Sequence, residues 1–278
     1  MTTVLDLRRF KAEGRRFAML TAYDYPIARL LDDAGMPVLL VGDSAAMVVH
    51  GHSTTLPITL DEMLVHARAV ARGASNALLV GDLPFLSYQG SLEDGLLNAG
   101  RFLKEGGMHA VKLEGGRALK ALVQRLVEAG IPVMGHLGLT PQSVHGLGGF
   151  KVQGKDLASA KRILSDAREL EEAGAFAVVL EGIPAALAAE VTAALSIPTI
   201  GIGAGPACDG QVLVVHDLLG LTVGHRPKFV KQYANLAEEI TQAARSYAQE
   251  VEAGVFPGPE HSYGPTISVV ADEVKYGG

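Results

Sequence analysis

The sequence predicts an α/β chain folded as a (βα)8 TIM barrel, and three observations lead there. Short aliphatic runs recur eight times, helical stretches separate them, and most of the runs end in an ionisable or hydroxylated residue. Aliphatic runs of this length suit strands buried on both faces, as in parallel sheets. At 278 residues the chain has the length of one such barrel. A doubly wound open sheet shares the alternation, but eight strands with polar residues projecting from several of them favour closure.

In chain order the strand candidates are FAMLTAYD, PVLLVGDS, ALLVGDLP, HAVKLEGG, PVMGHLGLT, FAVVLEGIP, IPTIGIGAG and VLVVHDL. Between them lie helical patterns over 26–34, 60–74, 92–105, 117–129, 158–173 and 184–195. Several stop at Ala-Gly, as in Asp33-Ala34-Gly35, Glu128-Ala129-Gly130 and Glu172-Ala173-Gly174. Gly there supplies the left-handed C-terminal position. A last helix over 236–253 follows the eighth strand and is expected to pack outside the barrel. The tail, 257–278, changes character at Pro257. Its Pro and Gly residues suit an extended arm on the surface or on a neighbouring subunit, and equally a disordered end. Nothing before it marks a boundary, so 1–278 reads as one barrel domain.

Composition narrows the function classes. Aromatic residues make up 5% of the chain and Trp is absent, so the core must be built from Val, Leu, Ile and Ala, as helix-on-sheet packing allows. The net charge of -6 is scattered along the chain, with no basic stripe for nucleic acid and no polybasic membrane anchor. A lone Cys208 excludes an intrachain disulfide and fits a reducing compartment. No N-terminal stretch is apolar enough for a signal peptide, and no window of about 20 apolar residues occurs. A soluble cytoplasmic protein is expected.

The polar residues at the strand ends carry the chemistry. Asp43 and Ser44 follow the second run, Asp82 the third, Lys112 and Glu114 the fourth, His136 the fifth and Glu181 the sixth. Ionisable groups in apolar runs are costly unless they lie where the strand emerges, and in a barrel those carboxyl ends form the catalytic face. Strand alternation sends Lys112 and Glu114, two residues apart, to the same face. Each has a purely structural alternative. A strand-end Asp can cap a helix, Ser44 can cap or turn, Lys112 can merely neutralise Glu114, and Glu181 can cap the helix near Pro184. His136 reads as a substrate contact or as a residue orienting a carboxylate. His50 and His52, with Lys112 and His136, suggest a zinc amidohydrolase, but the pair lies well past the second strand end, and the sixth strand presents Glu181 where that family needs His. These histidines are expected in a mobile loop over the pocket. Gly201, Gly203 and Gly205 suit a phosphate cradle, close backbone approach to substrate or folate, or tight turning.

Taken as an ordered set, LTAYDYPIARLLDDAG, VGDSAAMVVHGHSTTLPITLDEM, LLVGDLPF, AVKLEGG, GHLGLTPQSVHGLGGFKVQGK, VLEGIP, IPTIGIGAG and PKFVKQY closely resemble the ketopantoate hydroxymethyltransferase family, from Thr3 to Tyr263. The resemblance implies a barrel of the phosphoenolpyruvate mutase/isocitrate lyase-like group, which binds 2-oxo acids through a divalent metal. It implies transfer of a hydroxymethyl group from 5,10-methylenetetrahydrofolate to 3-methyl-2-oxobutanoate, giving 2-dehydropantoate (ketopantoate) on the route to pantothenate and coenzyme A. By position it gives Asp43, Asp82 and Glu114 to one Mg2+ per subunit and Glu181 to the catalytic base. Asp43, Ser44, Asp82, Lys112 and His136 fall to oxo-acid binding. It also implies a homo-oligomer, a decamer built as a pentamer of dimers. The chemistry agrees with the residues: removing the C3 proton and stabilising charge on the ketone oxygen calls for a hard cation with oxygen ligands. Another metal-dependent carbon–carbon lyase or transferase of 2-oxo acids and a non-catalytic metabolite-binding barrel are the competing classes. Every polar position that the hydroxymethyltransferase needs is filled.

Overall fold

In the computed structural model, which describes residues 1–222, 224 and 227–264, the aliphatic runs become eight parallel strands. They are β1 (Phe17–Thr21), β2 (Val38–Val41), β3 (Leu78–Asp82), β4 (Ala110–Glu114), β5 (Val133–Gly138), β6 (Ala177–Glu181), β7 (Thr199–Ile202) and β8 (Gly210–Leu213). Each pairs with its sequence neighbour, and β8 pairs with β1 to close the barrel. Helices Tyr25–Asp33, Leu60–Gly73, Leu92–Lys104, Lys120–Glu128, Leu157–Glu172 and Ala185–Ala194 occupy the intervals. Asp24, Thr59, Ser91 and Asp156 start four of these helices, each accepting a first-turn backbone N–H that has no partner inside its helix. The expected helix over 117–129 opens instead with a tight 3-10 turn, Arg117–Leu119.

Two departures from the sequence reading concern the ends of the barrel. The eighth strand is shifted toward the N-terminus of VLVVHDL: it ends at Leu213, and Val215–Leu219 is a short helix. Thr21 Oγ1 accepts from the Val215 backbone N–H at 2.9 Å, taking that amide out of any strand ladder, and Gly220 ends the helix at φ 70°. The second departure is a helix at Val4–Ala12, begun by a reciprocal cap between Thr3 and Asp6. Its Leu7 and Phe10 join the barrel-lumen cluster of Met19, Val38, Leu78, Ala110, Met134, Ala177 and Val212. A larger apolar layer lies between strands and helices and takes in Leu39, Leu79, Val111, Val133, Val178, Phe102 and Leu170. Alternation thus sends one set of each strand's residues to the lumen and the other to the helices.

The barrel lies in the compact unit Met1–Tyr233; a second unit, Ala234–Gly278, holds the helix Leu236–Glu252 and a turn at Pro259–His261. The expected tail from 265 onward lies outside the described residues. No helix among the described residues is long and apolar enough to cross a membrane.

Asp32, 5% exposed, ties the end of helix Tyr25–Asp33 to the entry of β3. It accepts from the backbone N–H groups of Ser75, Asn76 and Ala77 at 3.0, 2.9 and 2.8 Å. Asp32→Ala should cost about 2–4 kcal/mol in urea unfolding at pH 7, because it strands buried backbone donors. Burial opposes ionisation, yet the Ser75, Ala77 and Asn76 amides hold this carboxyl below its ordinary 3.8. A carboxyl so depressed stabilises the fold above its unfolded-state pKa and loses that contribution as pH falls through the native value. The stability gap between the wild type and Asp32→Asn should therefore be full at pH 7 and shrink below about pH 4.

Candidate active site

Lumen parity builds the site. On β3 the inward series Leu78, Val80 continues to Asp82; on β4 Ala110 continues to Lys112 and Glu114; on β5 Met134 leads to His136; on β6 Ala177 and Val179 lead to Glu181. The apolar lower positions pack the lumen, and the same face turns ionisable where the strands emerge. Asp43 joins from the turn after β2. Asp43, Asp82, Lys112, Glu114 and His136 are all buried, while the Glu181 side chain keeps 15% of its surface exposed.

Lys112 stands at the centre. Its Nζ lies 2.9 Å from Asp82 Oδ1, 3.8 Å from Glu114 Oε1 and 3.2 Å from His136 Nδ1. Asp82 is its nearer acid, so the lysine does more than neutralise Glu114. His136 spans two carboxylates: Nδ1 is 3.2 Å from Glu114 Oε1 and Nε2 is 3.1 Å from Glu181 Oε2. Nε2 sits off the hydrogen-bond line, so the contact with Glu181 is one of charge.

Three neutral residues that the sequence reading passed over complete the arrangement. Gln142, 5% exposed, donates from Nε2 to Asp43 Oδ2 and to the Leu83 carbonyl, each at 2.9 Å. Its backbone N–H donates to Glu114 Oε2 at 3.0 Å. Tyr88 Oη lies 2.7 Å from Gln142 Oε1 and accepts from the Glu114 backbone N–H at 3.0 Å. Tyr23 Oη is 2.8 Å from Ser44 Oγ and fixes that hydroxyl. The signals for these residues were positional only: Tyr88 and Gln142 sit in the loops that follow Asp82 and His136.

The charges are unevenly balanced. Burial pushes the Asp43 carboxyl well above the usual range, with repulsion from Asp82 and Glu114 adding to it. Burial also raises Asp82, although Lys112 works against the shift. Glu114 resists burial and is held below its ordinary value by His136 and Lys112. His136 is opposed by burial and by the Lys112 charge, yet Glu114 and Glu181 raise it to about 9.

The hydrogen bonds bear on several of the structural alternatives. The helix Ala45–Val48 begins at Ser44 and Ala185–Ala194 at Pro184, neither with a side-chain cap, so Asp43 and Glu181 cap neither. Among the described residues His50 and His52 make no hydrogen bond or ion pair with Asp43, Asp82, Glu114 or Glu181; the carboxylate near His50 is that of Glu62, at 3.9 Å. His50 Nε2 instead meets His66 Nε2 at 2.8 Å, and His66 Nδ1 is 2.7 Å from the Tyr23 carbonyl. The glycines after β7 answer to packing: a Cβ on Gly203 would come within 2.7 Å of Phe229 and one on Gly205 within 2.4 Å of Ala185. Tight turning accounts for them.

Among the described residues no three His, Cys, Asp or Glu side chains are disposed to enclose a metal by themselves. The donor set nevertheless suits a hard cation that completes its shell with water or substrate oxygens. Asp82 Oδ1 and Glu114 Oε1 are buried without an aligned hydrogen bond and face the Lys112 and His136 nitrogens at 2.9 and 3.2 Å.

A family profile described as ketopantoate hydroxymethyltransferase matches residues 1–259. The chain is 60% identical to the 3-methyl-2-oxobutanoate hydroxymethyltransferase of Syntrophotalea carbinolica over 261 residues, covering 94% of this chain and 98% of that one. It is 59% identical to the enzyme of the same name from Syntrophus aciditrophicus, covering 94% and 96%. Among solved structures it resembles a phosphonopyruvate hydrolase in complex with oxalate and Mg2+ at 14% identity, with a TM-score of 0.61 and coverage of 94% and 93%. It also resembles 2,3-dimethylmalate lyase, a member of the phosphoenolpyruvate mutase/isocitrate lyase superfamily, at 18% identity, with a TM-score of 0.59 and coverage of 95% and 93%. These two share the fold. The near-complete match in sequence goes further than the fold, and by it the chain belongs to the ketopantoate hydroxymethyltransferase family.

Proposed function

We propose that this chain transfers a hydroxymethyl group from 5,10-methylenetetrahydrofolate to 3-methyl-2-oxobutanoate, producing ketopantoate for pantothenate biosynthesis, in the cytoplasm. The match of the family over residues 1–259 carries this reading. Assembly into a decamer of five dimers belongs to the same reading and rests on family membership alone.

The residue roles are those that the family resemblance implies, and the geometry supports them. Asp43, Asp82 and Glu114 would hold one Mg2+ per subunit, a reading supported by the convergence of three buried carboxylates and by the upward push on Asp43, to which repulsion from Asp82 and Glu114 adds. Once bound, the ion supplies positive charge for the ketone oxygen and so acidifies the C3 proton of the oxo acid. Lys112 offers its ammonium to the substrate carboxylate from between Asp82 and Glu114. Ser44, its hydroxyl fixed by Tyr23, presents a side-chain oxygen and a backbone amide to the same substrate. Glu181, the position that matches the family's catalytic base, takes the C3 proton; its partly exposed carboxylate beside His136 supports this role. His136 holds Glu181 in place by charge and contacts the oxo acid from β5.

Three outcomes test these roles. Ketopantoate formation should stop in excess chelator and return with Mg2+, with Zn2+ a poor substitute for an all-oxygen site; equal turnover by metal-free protein would remove the ion from the scheme. Glu181→Gln should still bind the oxo acid yet lose C3 proton exchange with D2O, followed by proton NMR, by a factor on the order of 10²–10⁴. Exchange at the wild-type rate would assign the base elsewhere. Lys112→Met should weaken oxo-acid binding in calorimetry more than folate binding. It should also destabilise the metal-free protein by about 3–5 kcal/mol, since buried carboxylates lose their counter-charge.

A further inference from the structure

Each of the three acids at the mouth has one oxygen that accepts an aligned hydrogen bond from the protein and a second oxygen that does not. Asp43 Oδ2 accepts from Gln142 Nε2 at 2.9 Å, Asp82 Oδ2 from the Asp43 backbone N–H at 3.2 Å and Glu114 Oε2 from the Gln142 backbone N–H at 3.0 Å. The second oxygens differ. Asp82 Oδ1 and Glu114 Oε1 have ion-pair neighbours but no aligned hydrogen bond, and among the described residues no hydrogen bond to Asp43 Oδ1 occurs. Gln142 supplies two of the three tethers, one through its side chain and one through its backbone.

The Gln142 amide cannot turn over. Its two Nε2 hydrogens go to Asp43 Oδ2 and the Leu83 carbonyl, and its Oε1 receives Tyr88 Oη at 2.7 Å and Gln89 Nε2 at 3.1 Å. Both donors and both acceptor sites are used. A flipped amide would set Oε1 against a carboxylate and a carbonyl while stranding Nε2 against the Gln89 amide. The donor therefore stays pointed at Asp43.

From this we infer that Gln142 is a positioning residue that restricts Asp43 and Glu114 to one oxygen each toward a bound cation, and so selects a small octahedral ion over a larger one. The inference rests on the proposed metal role of these acids. Mg2+ demands near-ideal octahedral geometry and keeps waters, whereas Ca2+ takes six to eight oxygens and favours bidentate carboxylates. Bidentate engagement of Asp43 or Glu114 would bring the cation onto an oxygen that already accepts a buried N–H from Gln142, so donor and cation would compete for its two lone pairs and the hydrogen bond would weaken. Mg2+ meets no such obstacle, because one oxygen per acid is what it needs. The residue acts through the carboxylates and touches no reacting atom.

The test is binding of the metal alone, read by calorimetric titration of the full-length protein with Mg2+ and with Ca2+. The wild type should prefer Mg2+. Gln142→Met keeps the volume and removes the side-chain tether, so it should lose Mg2+ affinity by about 10–100-fold, the usual effect of removing a partner of a metal-ligating carboxylate. Its Ca2+ affinity should hold or rise, so that the Mg2+/Ca2+ ratio collapses. Tyr88→Phe removes the hydroxyl that orients the amide and should shift the ratio the same way by less; it decides the matter alone if Gln142→Met does not fold. A wild-type ratio in the folded variants overturns the clamp while leaving the metal site standing. Absence of Mg2+ binding in the wild type overturns the metal reading and the clamp with it.

Discussion

Holding Asp43, Asp82 and Glu114 out of water in one barrel mouth costs free energy that their neighbours must offset, and the form of the site follows from how they do it. Each ion taken into a low-dielectric interior costs several kcal/mol after relaxation. Four acids converge here, counting Glu181, and two cationic groups, Lys112 and His136, stand among them. The acids outnumber the cationic groups, an imbalance that a divalent ion would offset. The upward push on Asp43 and Asp82 is the same deficit seen from the individual groups.

One periodicity separates stability from chemistry. Along each inward-facing series the lower residues are apolar, sealed from beneath by Leu7 and Phe10, and the uppermost are ionisable. Nothing in the strand backbone changes between the two tiers. A polar residue two positions lower would lie among Val80, Ala110 and Met134 with no donor within reach; at the rim it meets the loops carrying Tyr88 and Gln142. The loops after β3 and β5 therefore belong to the carboxylates as much as the strands do.

This division accounts for what the sequence made visible. Strands β1 to β7 were legible because an uninterrupted short aliphatic run suits little besides a strand covered on both faces, and the acids because a charge ending such a run is costly anywhere else. The eighth strand was misplaced because QVLVVHDLL is largely apolar through its first half and gives no local stop; only Thr21, almost two hundred residues away in sequence, decides by its bond to Val215 where the ladder ends. The Val4–Ala12 helix carried a local signal, Thr3 with Asp6 three residues on, that a search for targeting segments passed over. Gln142 and Tyr88 had no such signal. A neutral amide or phenol in a loop fits many roles, and the partners that define this one, Asp43 and Glu114, come from the turn after β2 and from β4.

The closing pair of the barrel also constrains how the chain can be made. Phe17 to Leu20 of β1 pair with Gly210 to Leu213 of β8, and Lys11 beside them reaches Asp209. During synthesis at about 5–20 residues per second, β1 thus waits on the order of ten to forty seconds with one edge unpaired before its partner emerges. A bare parallel edge is a template for wrong pairing. The nascent half-barrel therefore carries an open strand edge, and the last strand to leave the ribosome is the one that ends its exposure.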